Sequence, residues 1–273
     1  MRWLAAALLL LGCGKAAPKP PVDAGPTKPK SVKHAHNDYL HTHPLFDALD
    51  QKFESVEADI WLDTSDGGVG LGLAHDGPPF VGSLKDLYLD PLKALVAMHG
   101  GSVYGDGKDF YLWIELKESD AAIEDELAKE LADCDFLTLF PDTGEPVKGA
   151  VTVVLTGGSG KIAMVNRPAP RPYTRDGEPY SDADPPADNK WGYYAVFYWD
   201  YLVWAGDGDA IPGTQGRLLQ QLIDGAHSKG RKIRVYASPD TPAFWKAGIA
   251  DGEDFVNADD LAGLEATFVA DPP

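Results

Sequence analysis

The chain has 273 residues, 44% of them hydrophobic and 24% charged, which is enough for one large domain or two small ones and too apolar for a disordered protein. A formal charge of −18 argues against nucleic acid or an anionic lipid surface as a partner, and it means that any phosphate-bearing substrate needs a local cation. Glycine (29) and proline (22) are frequent, as expected of many short elements joined by turns.

Residues 1–13, MRWLAAALLLLGC, join Arg2 to an apolar run that ends in Gly12-Cys13. The run is too short to cross ~30 Å of hydrocarbon as a helix, which takes about 20 residues, and it reads as a signal peptide. Leu10-Leu11-Gly12-Cys13 resembles a bacterial lipobox. That likeness implies lipidation at Cys13, export across the inner membrane and attachment to the bacterial cell envelope through the lipid anchor alone. A plain signal peptide with an incidental cysteine is the alternative. A lipidated Cys13 leaves Cys134 as the other thiol, so no disulfide is expected, and Cys134 is placed half-buried at the end of a helix. Residues 14–30 are rich in proline, alanine and lysine and form an extended tether, so the folded domain is expected over 31–270.

From there strands and helices alternate. Residues 31–36 form a short strand and 44–51 a helical turn or two. Residues 55–62, SVEADIWL, place Val56, Ala58, Ile60 and Leu62 on one face and Glu57, Asp59 and Trp61 on the other. Residues 71–75 form a strand, 84–99 a helix broken early by Pro91, 110–117 (FYLWIELK) a strand, and 121–132 a helix. Residues 151–157 form a buried strand, and 161–166 read as the next one. Residues 167–190 are crowded with proline and aspartate and read as a long loop, a lid or binding segment. Then follow a strand at 193–199, a helix at 215–229, a strand at 232–238, a helix at 242–250, a strand at 255–257 and a closing helix at 260–268. No internal repeat is visible. Strands separated by helices imply parallel pairing through right-handed crossovers. About eight of them in roughly 240 residues predict an α/β fold, a single (β/α)8 TIM-type barrel.

Side chains at the carboxyl ends of barrel strands line the active site of such a fold. Those positions hold His34, His36 and Asn37 after the first strand, Glu57 and Asp59 on the second, and His75-Asp76 after the next. Glu115 and Lys117 stand on the FYLWIELK strand. Residues two apart on a strand share a face, so Glu57 pairs with Asp59 and Glu115 with Lys117. Three inward carboxylates repel one another unless a cation lies between them, and a hard divalent ion, Ca²⁺ or Mg²⁺, takes oxygen ligands of this kind. Two histidines beside it suit general acid and base chemistry near neutral pH. His41, His43, His99 and His227 are assigned to loops, a helix cap and helix surface. Tyr198, Trp199, Tyr236 and Trp245 are assigned to packing, one or two of them along a cleft.

His36-Asn37-Asp38-Tyr39-Leu40, Val56-Glu57-Ala58-Asp59-Ile60-Trp61 and His75-Asp76-Gly77 resemble segments of phosphoinositide-specific phospholipases C. The E-x-D, the His-Asp and Ile114-Glu115-Leu116-Lys117 also resemble glycerophosphodiester phosphodiesterases, and residues 236–260 are similar to the closing strand and turn of those enzymes. The resemblance spans most of 33–262, although only patches are specific. It implies a metal-dependent phosphoric diester hydrolase of the phospholipase C-like phosphodiesterase superfamily, with His36 and His75 as the catalytic pair. It further implies Glu57, Asp59 and Glu115 as ligands of one divalent metal, Asn37 as a fourth, and Lys117 on the phosphate. The sequence departs from the family in two ways. The His-Arg-Gly opening of the glycerophosphodiesterases is missing, so their phosphate-binding arginine has no counterpart, and the first catalytic histidine falls on His36 or His34, with His36 preferred.

The expected substrate is a phosphodiester small molecule or lipid headgroup, and the expected state a monomer. Two other classes compete. One is an amidohydrolase-like metalloenzyme, suggested by His34-Ala35-His36 but short of histidines on later strands. The other is a catalytically idle barrel that binds a ligand or an envelope partner.

Overall fold

The computed structural model describes residues 30–65, 67–177, 180–270 and 272–273; Cys13 and nearly all of the expected tether lie outside them. Nine strands run in chain order: β1 (Val32–Ala35), β2 (Ser55–Asp63), β3 (Gly70–Leu73), β4 (Phe110–Leu116), β5 (Val151–Gly157), β6 (Thr174–Gly177), β7 (Trp191–Phe197), β8 (Lys232–Tyr236) and β9 (Phe255–Ala258). All but β3 pair in parallel. β1 bonds to β9 on one side, His34 opposite Asn257, and to β2 on the other, His34 opposite Ser55, so the eight strands close into a barrel. Among the described residues no helix is long and apolar enough to cross a membrane.

The barrel has two cores, and the period of two along each strand separates them. Outward-facing Val56, Ala58, Ile60, Leu112, Ile114, Val153 and Leu155 are fully buried under the surrounding helices. The helices include α3 (Ala121–Ala132), α5 (Gly213–Ser228), α6 (Pro242–Asp251) and α7 (Leu261–Ala270). Their ends follow from local chemistry. Asp120 accepts the first free N–H groups of α3, Ala122 at 2.9 Å and Ile123 at 3.1 Å, while Thr241 caps α6 ahead of Pro242. Gly252 ends α6 at φ 88°, a left-handed turn that glycine adopts without strain.

Inside the barrel, Tyr111, Trp113, Val154, Tyr193, Ala195 and Phe255 form a smaller core. Its rings meet edge to face, Trp113 and Phe255 with centroids 5.3 Å apart and Tyr111 and Phe255 4.9 Å apart. Each such ring removed from water contributes on the order of 2–3 kcal/mol. This plug fills the lumen to the level of Trp113. Glu115 stands two residues further along the same face of β4, while Glu57 lies level with Trp113 on the neighbouring strand. The plug thus sets the floor of the site.

Three expected elements differ. Residues 71–75 do not enter the barrel: β3 folds back antiparallel on β2 as a hairpin, and His75 follows it. Residues 161–166 are not a strand, because Gly160–Val165 form a helical turn, α4, after the Gly-Gly-Ser turn. The missing barrel strand is β6, inside the proline-rich stretch expected to be a loop, where Thr174–Gly177 pair with β5 and β7. Later in that stretch, residues 184 and 185 are tied to the body of the domain: Arg231 donates to the Pro185 carbonyl at 2.6 Å and Tyr194 to Asp184 at 2.7 Å. Cys134 lies just past α3, 9% exposed, and burial pushes its thiol up to about 11.

Candidate active site

β2 and β4 lie side by side with Asp59 opposite Glu115, which brings their inward carboxylates together above the aromatic plug. One oxygen each from Glu57, Asp59 and Glu115 lies within 4.8 Å of the others. The Lys117 ammonium bridges two of them, 2.9 Å from Asp59 and 3.0 Å from Glu115. Tyr39 donates its phenol to Asp59 Oδ2 at 2.8 Å, and the other oxygen, Oδ1, is buried with no hydrogen-bond partner. Burial and the neighbouring charges of Glu57 and Glu115 push Asp59 up to about 6. An orphaned, charge-crowded carboxylate oxygen among three carboxylates suits a hard divalent cation, which binds through oxygen.

Glu57 sits deeper. Arg234, reaching in from β8, donates Nη2 to Glu57 Oε1 at 2.6 Å. Burial opposes ionisation of Glu57, but Arg234, His34 and His36 outweigh it and hold the carboxyl well below the usual carboxylate range. Arg234 also donates Nη1 to His34 Nε2 at 2.5 Å. That fixes the tautomer of His34, whose Nδ1 then carries the hydrogen directed at Ser55 Oγ, 2.7 Å away. His34 is fully buried, and burial together with Arg234 drops its pKa to about 3.

His36 faces the opposite situation. Its Nδ1 donates to Asp259 Oδ1 at 2.9 Å, from the turn after β9, and its Nε2 is 3.7 Å from Glu57 Oε2. Burial disfavours the charged ring, yet Asp259 and Glu57 outweigh it and raise the pKa above the ordinary imidazole value. His75 repeats the pattern, with Nδ1 2.9 Å from Asp76 Oδ1 in the loop after the hairpin. Asn37 adopts a left-handed turn at φ 47° between these groups, its backbone N–H 3.4 Å from Glu57 and its Oδ1 3.2 Å from the Tyr39 hydroxyl.

A cleft of about 280 Å³ opens at this end of the barrel, lined by His36, Glu57, His75, Glu115, Lys117 and Arg234. Asn37 and Thr156 also border it. Every expected site residue within the described chain is therefore in or against one site, although Asp59 and His34 lie beneath the cleft. His41, His43, His99 and His227 lie apart: His43 meets Asp47, His99 the Val103 carbonyl and His227 Asp254.

Sequence reasoning misses three participants. The signal for Arg234 is a charged residue between the apolar Ile233 and Val235, and Asp259 follows the last strand directly, a position that the barrel rule marks. Tyr39 lies within the segment His36–Leu40 and gives no signal of its own.

Residues 27–171 match the family model described as the AIM6-like phosphodiesterase domain. A curated relative, the altered inheritance of mitochondria protein 6 homolog of Arthroderma benhamiae, is 25% identical over 86% of this chain and 83% of its own. Among solved structures, a glycerophosphodiester phosphodiesterase from Parabacteroides distasonis superposes with a TM-score of 0.52 at 14% identity, over 89% of this chain and 98% of the other. A calcium-dependent phosphoinositol-specific phospholipase C from a Gram-negative Pseudomonas gives a TM-score of 0.54 at 12% identity, over 85% and 89%. The two structures share the barrel fold with this chain.

Proposed function

Because this chain belongs to the AIM6-like phosphodiesterase domain family, within the phospholipase C-like phosphodiesterase superfamily, we propose that its barrel mouth cleaves phosphoric diesters with the help of one divalent cation. The observation that carries this reading is the convergence of two carboxylate-anchored histidines, a carboxylate trio and a lysine on one cleft. Glu57, Asp59 and Glu115, with Asn37 beside them, would hold Ca²⁺ or Mg²⁺, which when bound supplies positive charge against a phosphoryl oxygen.

The chain's own groups account for the proton transfers. Asp259 and Asp76 accept from Nδ1 of His36 and His75, so Nε2 of each ring is left to act on the substrate. One imidazole takes the proton of the attacking hydroxyl as the new P–O bond forms. The other gives a proton to the departing alcohol oxygen as the old bond breaks. The Lys117 ammonium lies where it can offset the phosphate charge. His34 is a poor candidate for either role, since both its nitrogens are engaged and its ring resists protonation. It serves instead to hold Arg234. Turnover of bis(p-nitrophenyl) phosphate with Ca²⁺ or Mg²⁺, abolished by a chelator, is expected. No cleavage of this or any natural diester with either ion would remove the hydrolase reading in favour of a binding protein.

From the likeness of Leu10-Leu11-Gly12-Cys13 to a lipobox we also propose that the protein is held at the cell envelope by lipid on Cys13. Wild type should partition into detergent and Cys13→Ala into water; equal partitioning of the two would sink the anchor.

A further inference from the structure

We propose that Asp240, in the loop after β8, is a positioning residue for His36: by accepting the backbone N–H of Asp260 it holds the turn that aims the Asp259 carboxylate at Nδ1 of the ring. This rests on the reading of His36 as a group that moves protons through Nε2, and it names the residue that keeps the ring in that tautomer.

Two segments meet beside His36. The first is the end of β9, where the His36 N–H donates to the Ala258 carbonyl at 3.0 Å and Asp259 follows. The backbone of His36 is thus fixed to the strand ladder, whereas the Asp259 side chain is 68% exposed and little packing restrains it. Its direction is set by the backbone of its own turn, so whatever fixes residues 259 and 260 fixes the partner of Nδ1. On the far side of that turn, Asp260 Oδ1 accepts the Gly263 N–H at 3.0 Å and starts α7, which leaves the Asp260 N–H outside the helix ladder. Asp240 Oδ2 accepts it at 2.7 Å.

The second segment is shaped to deliver that carboxylate. Ala237 turns left-handed at φ 55°, a conformation that a Cβ disfavours and that persists only where the surroundings impose it. The Thr241 N–H donates to the Pro239 carbonyl at 2.9 Å, so Asp240 is the middle residue of a three-residue turn, and Thr241 is held as the cap of α6. Gly206 closes on the same turn: a Cβ there would meet Pro239 at 2.9 Å. Charge alone would send Asp240 elsewhere. Burial and the charges of Asp259 and Asp260 push its carboxyl up, against the backbone N–H groups of both residues, which hold it down. A carboxylate kept beside two others is there for those N–H groups.

The test reads the tautomer of His36 by long-range proton–nitrogen correlation in the full chain carrying isotope-labelled histidine, at alkaline pH where the ring is neutral. His36→Ala identifies its signals. Wild type should hold the proton on Nδ1. Asp259→Ala should shift it toward Nε2, and Asp240→Ala should shift it the same way by a smaller amount. Asp240→Asn retains an acceptor for the Asp260 N–H and should keep the wild-type pattern. Asp240→Ser, too short to reach that N–H, answers if Asp240→Ala does not fold. A mere surface anchor for α7 would lower the melting temperature of Asp240→Ala and leave the tautomer alone; that result would overturn the proposal. So would an Nε2 proton in wild type, an unchanged tautomer in Asp259→Ala, or loss of the Nδ1 proton in Asp240→Asn. Turnover of bis(p-nitrophenyl) phosphate gives a second readout: Asp240→Ala should lower kcat by about tenfold with KM little changed, and the loss should vanish in an Asp259→Ala background. An unchanged kcat, or an undiminished loss in that background, would count against Asp240 alone. Absence of turnover in every variant sinks the hydrolase reading alone, since the tautomer still decides Asp240.

Discussion

His34 and His36 lie two residues apart at the end of the same strand, and a motif resemblance alone ranks His36 above His34 in the sequence. Their surroundings separate them completely. His34 lies under Arg234 with both nitrogens bonded and a pKa near 3, while His36 lies 21% exposed in its side chain with one nitrogen on Asp259 and a raised pKa. The first is built as a permanent neutral acceptor for a buried cation. The second keeps a nitrogen free and holds a proton more readily than an ordinary imidazole. Chemical capacity here comes from what covers the ring rather than from which residue it is.

Substitution gives the sharpest way to break that contrast. A general acid or base contributes roughly 10²–10⁴-fold, so His36→Ala and His75→Ala should each lose about that much in kcat while the fold survives. The double variant should lose little more than either single one, because both rings serve one proton-transfer cycle. Steady-state turnover of a chromogenic diester measures all three. Wild-type rates in both single variants would dismiss the two-histidine mechanism. His34→Ala should fail in a different way: it leaves the Arg234 Nη1 hydrogen and the Ser55 hydroxyl without their buried partner, at about 1–3 kcal/mol for each group left unpaired. Urea unfolding should show that loss, and a stable, inactive His34→Ala would reverse the assignment of the two rings.

Metal removal sharpens the same contrast among the acids, with a smaller expected effect. Glu57 has Arg234 as a permanent partner, whereas Asp59 Oδ1 has none. A ligand that binds only the folded chain raises its stability. A chelator should therefore lower the melting temperature of wild type by a few degrees and leave Glu57→Gln/Asp59→Asn nearly unmoved. If both respond alike, the cation sits elsewhere.

Strand alternation alone put Glu57, Asp59, Glu115 and Lys117 on the inner face, because a period of two admits no other choice once Val56, Ala58 and Ile60 need covering. The barrel class followed from the alternation of strands and helices, even though residues 71–75 form a hairpin beside the barrel, 161–166 lie in a helix, and β6 carries no strand signal. β6 escaped because four residues, TRDG, carry no apolar pattern; its place depends on pairing with β5 and β7, which is not local information. Arg234 and Asp259 were unreadable as partners for the same reason. They meet His34 and His36 across 200 and 223 residues of sequence, and only closure of the barrel brings them together.

Glu253 extends the comparison to a second fully buried glutamate, this time without a cation bound to it. Glu253 Oε1 accepts the Val235 N–H at 2.9 Å, but Oε2 is buried with no partner. Burial dominates and pushes its pKa from 4.5 up to about 8, where Arg234 holds Glu57 the other way. The sign follows from proton counting. Between pH 4.5 and 8 the folded chain holds a proton that the unfolded chain has released, so stability falls as pH rises through that window and levels off above it. Glu253→Gln keeps a carbonyl for Val235 and removes the ionisable group. Its melting temperature should therefore decline less than that of wild type between pH 5 and pH 8, with the two curves diverging most at the alkaline end. Parallel curves across the window would mean that Glu253 is already ionised in the fold, and that the Val235 N–H with the more distant Arg234 suffices to hold the charge.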